Sequence, residues 1–262
     1  MNHKPERTRR LASPPGSDPW SPLRALTAAR IGLARAGASL ATVPRLDLRL
    51  AHARARDAVH EPLHEVRLGA DITKAVAPIP VLMVASAAED RQRYLMRPDL
   101  GRRLAPGAES ALAPHAGEHD LALVVADGLS ARAVQTHAGP VLARLLPRLA
   151  GWQMAPVVIV RHGRVAIGDA VATALGAACT VVLIGERPGL TAPDSMGAYL
   201  TWRPGPGTTD ADRNCVSNIR PDGIGYADAA VRLAQLLAAM RTRRLSGVRL
   251  KDRTDGRTIT DG

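Results

Sequence analysis

Phenylalanine is absent from this chain of 262 residues, which has only three tryptophans and three tyrosines. The core must therefore be packed from aliphatic side chains, and a hydrophobic content of 46% supplies enough of them. The scarcity of aromatic rings also leaves no cluster on which nucleic-acid bases could stack. A chain of this length can form one large domain or two modest ones.

Lysine is nearly absent as well, since only Lys4, Lys74 and Lys251 appear among 35 basic residues. The net charge of +11 is typical of nucleic-acid-binding proteins. However, residues 1–60 hold eleven basic and four acidic side chains, so +7 of the charge lies in the first quarter. We favour a solvated basic surface with a basic tail and expect no nucleic-acid partner. A nucleic-acid-binding module stays an alternative, which a steep salt dependence of affinity would support.

Cysteine is limited to Cys179 and Cys215, too few for a disulfide framework and unsuitably spaced for a standard metal site. Cys179 lies in an apolar run, where we expect a small buried side chain. No apolar stretch reaches about 18 residues, so we predict no membrane span. Arg9 and Arg10 are not followed by an apolar core; we therefore predict no signal peptide and expect a cytoplasmic, reducing environment.

Several nucleotide-binding and catalytic motifs are also missing. No G-x-G-x-x-G follows a predicted strand, and G-x-x-x-x-G-K-[ST] does not occur, which argues against a standard dinucleotide or triphosphate cradle. G-x-S-x-G is absent, so the common hydrolase elbow is excluded. The spelling H-E-x-x-H occurs once, at residues 60–64, where Pro62 argues against the continuous helix that a zinc-protease site needs.

Four regions follow from the patterning of the chain. Residues 1–22 are predicted to be a disordered basic tail, because they are rich in proline and charge and lack periodicity. Residues 23–115 are predicted to form a helical N-terminal domain, with helices at 48–63 and 85–104. Residues 118–252 are predicted to form an α/β domain, and residues 253–262 a flexible C-terminal tail.

Within the α/β domain, apolar strands alternate with helices, a pattern typical of a parallel sheet covered on both faces. We predict strands at residues 121–128, 156–163, 179–185 and 198–202. A helix capped by Ser130, with a break at Gly139 and Pro140, follows the first strand. Asp169 is predicted to cap a short helix, and residues 226–244 to form a long amphipathic one. The predicted fold class is therefore α/β, with a smaller helical domain preceding the α/β domain.

Ligands of such sheets bind at the carboxyl ends of the strands, where Asp127, His162 and Glu186 are expected to lie. For Asp127 we favour a turn and cap role with Ser130. For His162 we favour a turn histidine that faces solvent over a catalytic base. Glu186 is left open between accepting hydrogen bonds from a ligand and an ion pair with Arg187 or Arg220.

Residues 184–226 form a polar segment rich in Gly, Pro, Asp and Asn, which begins at a buried strand. Such turn formers bury little apolar surface, and ordered polar loops at strand ends concentrate ligand contacts. We predict that the segment folds over the carboxyl edge of the sheet and contacts a ligand.

Five blocks of the sequence resemble the small subunit of ethanolamine ammonia-lyase. They are VVADGLSARAV from residue 124, GRVAIGDAV from 163, LIGERPGLTAPDSMGAYLTW from 183, TDADRNCVSNIRPDGIGY from 209 and LSGVRLKD from 245. The resemblance extends over about residues 27–252. It implies part of an adenosylcobalamin-dependent lyase that converts ethanolamine to acetaldehyde and ammonia, with the radical chemistry in a large partner subunit.

In that family the small subunit has a helical N-terminal part and a Rossmann-like domain, here residues 118–252, which binds cobalamin with its own benzimidazole on cobalt. None of the eight histidines has an aspartate two residues before it, so the D-x-H-x-x-G motif of the other binding mode is absent. The resemblance places cofactor contacts at Val165, Glu186 and Cys215, and it implies no catalytic residue and no metal ligand in this chain.

Two questions stay open at this point. The N-terminal tail does not resemble the amphipathic tag of relatives addressed to a bacterial microcompartment, so we expect a cytoplasmic protein and leave enclosure as an alternative. An independent α/β enzyme acting on a small polar metabolite is the rival interpretation, with Glu186, His162 and Asp127 as acid–base candidates.

Overall fold

The computed structural model describes residues 20–27 and 29–250, which form two compact units that divide between Ala51 and His52. The tails predicted at residues 1–22 and 253–262 lie almost wholly outside the described residues. The predicted domain boundaries remain predictions. No helix among the described residues is long and apolar enough to cross a bilayer.

The first unit holds short elements. A single-turn helix α1 (Ser21–Arg24) precedes an antiparallel pair of two-residue strands, β1 (Arg35–Ala36) and β2 (Ser39–Leu40). The long helix α2 (Thr42–His60) begins in this unit. Pro44 lies in the first turn of α2, where its missing N–H group has no intrahelical partner to lose.

The second unit is a six-stranded sheet with helices on both faces. Its helices are α3 (Glu65–Val76), α4 (Arg91–Met96), α5 (Ala108–Leu112), α6 (Ala131–Leu145), α7 (Ile167–Leu175) and α8 (Tyr226–Arg243). Its strands are β3 (Val81–Ala85), β4 (His119–Ala126), β5 (Val157–Arg161), β6 (Ala177–Gly185), β7 (Met196–Trp202) and β8 (Arg213–Ile219). The α/β class predicted from the sequence is confirmed.

The sheet has the order β3-β5-β4-β6-β7-β8 and is mixed, which corrects the prediction of a parallel sheet. The first four strands are parallel, whereas β7 and β8 run antiparallel to their neighbours. Parallel neighbours need a long crossover, usually a helix. The connections at residues 186–195 and 203–212 contain no α-helix, so each strand returns beside the one before it.

Two aliphatic cores lie on opposite faces of this sheet. Leu123, Val125 and Leu183 point toward α3, α6 and α8, whereas Val124 and Val182 point toward α5 and α7. This alternation follows from the two-residue period of a strand, and both series are fully or almost fully buried. Each buried valine or leucine side chain contributes about 1.5–3 kcal/mol relative to an exposed one.

Two predictions about helices were wrong. The helix α6 runs through Gly139 and Pro140 without a break. Pro140 removes the hydrogen bond to the carbonyl of Thr136, an exposed residue whose carbonyl water can satisfy. Asp169 does not cap α7, because Ala166 precedes its first turn and Asp169 lies inside it.

Candidate functional site

The turns that follow β4, β5 and β6 meet at the carboxyl edge of the sheet, as the sequence predicts. The backbone N–H of Leu129 donates to the carbonyl of Gly185 at 2.9 Å, which joins the first turn to the third. The N–H of Gly163 donates to Asp127 Oδ1 at 3.2 Å, which joins the second turn to the first.

Asp127 is a structural residue of this edge. Its side chain is 3% exposed, and Arg91 Nη1 lies 3.7 Å from Oδ2. Burial raises the pKa of Asp127, while the charge of Arg91 opposes that shift. The carbonyl of Asp127 accepts from Ser130, whose hydroxyl in turn caps α6 by accepting from Ala133 at 3.4 Å. The turn and cap role favoured from the sequence is confirmed.

His162 is half-buried in the turn after β5, so it is a turn histidine as favoured from the sequence, although its ring is only partly open to solvent. Its Nδ1 lies 3.1 Å from the carbonyl of Ala88, and because a carbonyl only accepts, Nδ1 must carry the proton. The ring also stacks on Tyr94, with centroids 5.9 Å apart. His162 therefore serves to hold the turn after β5 against the segment before α4.

Glu186 follows β6, and its carboxylate is half-buried. Both oxygens accept from the backbone N–H of Asn218, at 3.3 and 3.2 Å. Within the described residues it pairs with neither Arg187 nor Arg220. Gly197 makes room for this carboxylate, since a Cβ there would lie 2.9 Å from Oε1. A carboxylate that accepts one backbone N–H keeps lone pairs for further donors.

Cys215 lies opposite Tyr199 in the β7–β8 pair, and Tyr199 lies opposite Val182 of β6. Directly opposed residues share a face, so all three lie on the α7 side of the sheet. Within residues 52–250, no helix packs broadly on this face of β7 and β8 as α7 does on β4 and β6. We call the surface formed by Tyr199, Cys215 and the carboxylate of Glu186 the open face.

The thiol of Cys215 is a neutral group. Although the residue as a whole is exposed, partial removal of water from the thiol raises its pKa. The side chain of Tyr199 lowers the pKa of Cys215, and the negative charge of Glu186 raises it again. A thiol with a raised pKa is a weak nucleophile and acts as a small polarizable contact.

Val165 lies in the turn between β5 and α7 and is half-buried. It packs against the same buried cluster as Tyr199, on the α7 side of the sheet. The structure thus places Val165, Glu186 and Cys215 on or beside the α7 side. Their role as cofactor contacts stays a prediction.

The sequence did not single out the ion pair between Asp169 of α7 and Arg213 of β8. Arg213 Nη1 and Nη2 donate to the two carboxylate oxygens of Asp169 at 2.7 and 2.6 Å. Burial alone would lower the pKa of Arg213, but the hydrogen bonds and charge of Asp169 outweigh it, so the pKa is raised. No local pattern in the sequence signals this contact, which joins residues 44 positions apart.

A cavity of about 550 Å³ adjoins α7 and shares Asp169 with this ion pair. It lies between α5, α7 and residues 205–208, and its lining includes none of Val165, Glu186 and Cys215. The open face is therefore a surface separate from this cavity.

The connection between β6 and β7 is held against α6. Ser130 Oγ donates to the carbonyl of Pro193 at 3.2 Å, and His137 Nε2 lies 3.9 Å from a carboxylate oxygen of Asp194. Burial lowers the pKa of His137, which bonds through Nδ1 to the hydroxyl of Tyr226 at 2.9 Å. These contacts fix the segment that leads from Glu186 to β7.

Residues 17–251 match the family described as ethanolamine ammonia-lyase light chain (EutC). The chain belongs to this family. The resemblance stated from the sequence blocks is thereby confirmed. The family member from Azotobacter vinelandii, an ethanolamine ammonia-lyase small subunit, is 53% identical over 249 residues, which cover 93% of this chain and 92% of that protein.

Two further family members are similar to the same degree, and both are ethanolamine ammonia-lyase small subunits. The protein from Pseudomonas fluorescens is 51% identical, over 92% of this chain and 90% of its own. The protein from Ralstonia nicotianae is 51% identical, over 90% of this chain and 88% of its own. The chain therefore spans nearly the full length of its relatives in the ethanolamine ammonia-lyase family.

Proposed function

We propose that this chain is the cobalamin-binding subunit of an adenosylcobalamin-dependent lyase that converts ethanolamine to acetaldehyde and ammonia together with a large subunit. The observation that carries the proposal is the open face, where Glu186 and Cys215 flank Tyr199 and no helix of residues 52–250 packs broadly. We propose Val165, Glu186 and Cys215 as its cofactor contacts.

The chemistry of the open face suits a corrin ring. A corrin presents amide side chains around an apolar rim, and a carboxylate with free lone pairs is a strong acceptor for amide N–H groups. The neutral thiol of Cys215 and the apolar side chain of Val165 suit the rim itself. When bound, adenosylcobalamin supplies the organic radical that abstracts hydrogen from the substrate.

The acid–base candidates of the rival enzyme hypothesis are already engaged in holding the fold. Asp127 accepts from Gly163, His162 donates to Ala88, and Glu186 accepts from Asn218. Glu186 lies near the thiol of Cys215, but the raised pKa of that thiol makes it a weak nucleophile, so none of the three candidates forms an activated base–nucleophile pair. We therefore place the catalytic residues in the large subunit and the cofactor-binding role in this chain.

The division of labour is tested by reconstitution. The purified chain alone, given adenosylcobalamin and ethanolamine, is expected to produce no acetaldehyde, and mixing it with the large subunit should restore turnover. Acetaldehyde is measured with a coupled dehydrogenase, and each subunit alone is the control. Turnover by this chain alone would overturn the proposal and favour an independent enzyme.

The site residues are tested in the reconstituted complex. A hydrogen bond to a charged group contributes about 1.5–3 kcal/mol, so Glu186→Ala should weaken the affinity for adenosylcobalamin roughly ten- to hundredfold. Cys215→Ala removes a group the size of a methylene, worth about 0.8 kcal/mol or fourfold in affinity. Turnover at saturating cofactor should change less than affinity in both variants.

The affinity is measured by titrating the cofactor and following its absorbance on binding. Glu118→Ala removes an exposed carboxylate next to β4 at the opposite edge of the sheet and is the matched control. Wild-type affinity in both Glu186→Ala and Cys215→Ala would refute the assignment of these residues.

A further inference from the structure

The ion pair between Asp169 and Arg213 is a two-bond contact that is largely shielded from solvent. The two guanidinium nitrogens meet the two carboxylate oxygens at 2.7 and 2.6 Å, a fork-to-fork geometry that fixes orientation as well as distance. The side chains of Arg213 and Asp169 are 2% and 12% exposed. Because α7 and β8 are not neighbours in the sheet or the chain, this contact directly sets the separation of the two elements.

The guanidinium crosses β7 to reach α7. Arg213 lies opposite Thr201 in the β7–β8 pair, and its Nη1 also donates to Thr201 Oγ1 at 3.0 Å. Arg213 is two residues before Cys215 on the same strand and therefore shares its face. Asp169 is four residues after Val165, in the first turn of the helix that Val165 precedes. The ion pair thus joins the elements that carry two of the proposed cofactor contacts.

The strand β8 needs such an attachment, because it is the last strand of the sheet and has a strand neighbour on one side only. Its other face is fixed by Asn214, whose side chain donates to the carbonyl of Leu250 at 2.8 Å and accepts from Gly247 at 2.8 Å. Arg213 provides the corresponding attachment on the face that carries Cys215.

Stability alone does not account for a buried ion pair, since apolar residues of similar volume often stabilise a fold equally well. What the charged fork adds is a fixed geometry. We propose that Asp169 and Arg213 are positioning residues that hold Cys215 of β8 at a fixed distance from Val165 at the start of α7, and thereby set the affinity of the open face for adenosylcobalamin. This inference rests on the function proposed above.

The first test is Asp169→Asn in the reconstituted complex. The variant keeps one acceptor oxygen for Arg213 but loses the charge and the second bond. The affinity for adenosylcobalamin is expected to fall by up to about fourfold, equivalent to about 0.8 kcal/mol, which is the loss expected for Cys215→Ala itself. Turnover at saturating cofactor should stay within about twofold of wild type, because neither residue is proposed to touch the substrate.

A double-mutant cycle with Cys215→Ala separates positioning from general destabilisation. If Asp169 acts through the placement of Cys215, Asp169→Asn should weaken affinity clearly less in the Cys215→Ala background than in the wild type. Additive effects would overturn the inference. The control is Leu145→Ala, which lowers the melting temperature from the core on the other face of the sheet and should leave cofactor affinity unchanged.

A milder variant decides the question if Asp169→Asn does not fold. Thr201→Val keeps the shape of the side chain and removes only the hydroxyl that accepts from Arg213, so a roughly threefold loss of affinity is expected. Wild-type affinity in both folded variants, with weakened affinity in Glu186→Ala, would overturn the positioning role and leave the proposed function standing. Wild-type affinity in all of them, including Cys215→Ala, would remove both.

Discussion

Gly185→Ala is expected to prevent the chain from folding stably. A Cβ at position 185 would overlap the carbonyl oxygen of Ser130 and lie 2.6 Å from that of Asp127. Both atoms belong to the backbone of the turn between β4 and α6, which is itself bonded to Gly185 through Leu129. Because backbone cannot move aside as the end of a side chain can, we expect a loss of more than about 4 kcal/mol in the free energy of unfolding.

The measurement is the soluble yield of the variant and, where protein is recovered, its thermal unfolding followed by circular dichroism. Gly205→Ala is the matched control, since a Cβ there meets nothing within 4 Å, and it should unfold at the wild-type temperature. A Gly185→Ala protein as stable as wild type would show that β6 does not approach the first turn as closely as described.

Arg213→Met is expected to lower the free energy of unfolding by about 3–5 kcal/mol, because it leaves the buried carboxylate of Asp169 without its cation. Adding Asp169→Leu should recover most of that loss, since the pair is then replaced by apolar side chains of similar volume. The partial recovery is the distinguishing result, because two independent losses would instead add.

Urea denaturation of the chain measures both variants, with the slope of the transition checked for constancy. Arg243→Met on α8 is the control for removing an arginine from an exposed position. A double variant less stable than Arg213→Met alone would contradict the account of Asp169 as an unpaired buried charge.

The sequence predicted the parts of the sheet that are locally apolar. The strands β4, β5 and β6 are each runs of valine, leucine, isoleucine and alanine, and both of their faces are covered by helices. The strand β8, with the sequence RNCVSNI, was interpreted as loop because one of its faces is polar. The strand β3 lies within the region predicted as helical. A run of five residues is too short for the two-residue period of a strand to be told apart from the period of a helix.

In the candidate site, the positions of the residues could be predicted from the sequence, whereas their contacts could not. Alternation of strands and helices placed Asp127, His162 and Glu186 at one edge, because that placement follows from topology alone. The hydrogen-bond partners of these residues could not be predicted from the topology. Glu186 accepts from Asn218, 32 residues away, and within the described residues it forms neither of the ion pairs, with Arg187 or Arg220, that the sequence left as an alternative. Contacts of this kind depend on the register of β7 and β8, which no local pattern specifies.

The antiparallel return of β7 and β8 widens the sheet without adding helices to both of its faces. Every parallel strand brings a crossover helix that shields one flank of the sheet, so width and helical cover grow together. Two strands added by direct return widen the sheet with no crossover helix between them, and within residues 52–250 α8 covers them on one flank only. The two returning strands thereby leave sheet surface without broad helical cover among residues 52–250, while both aliphatic cores stay buried.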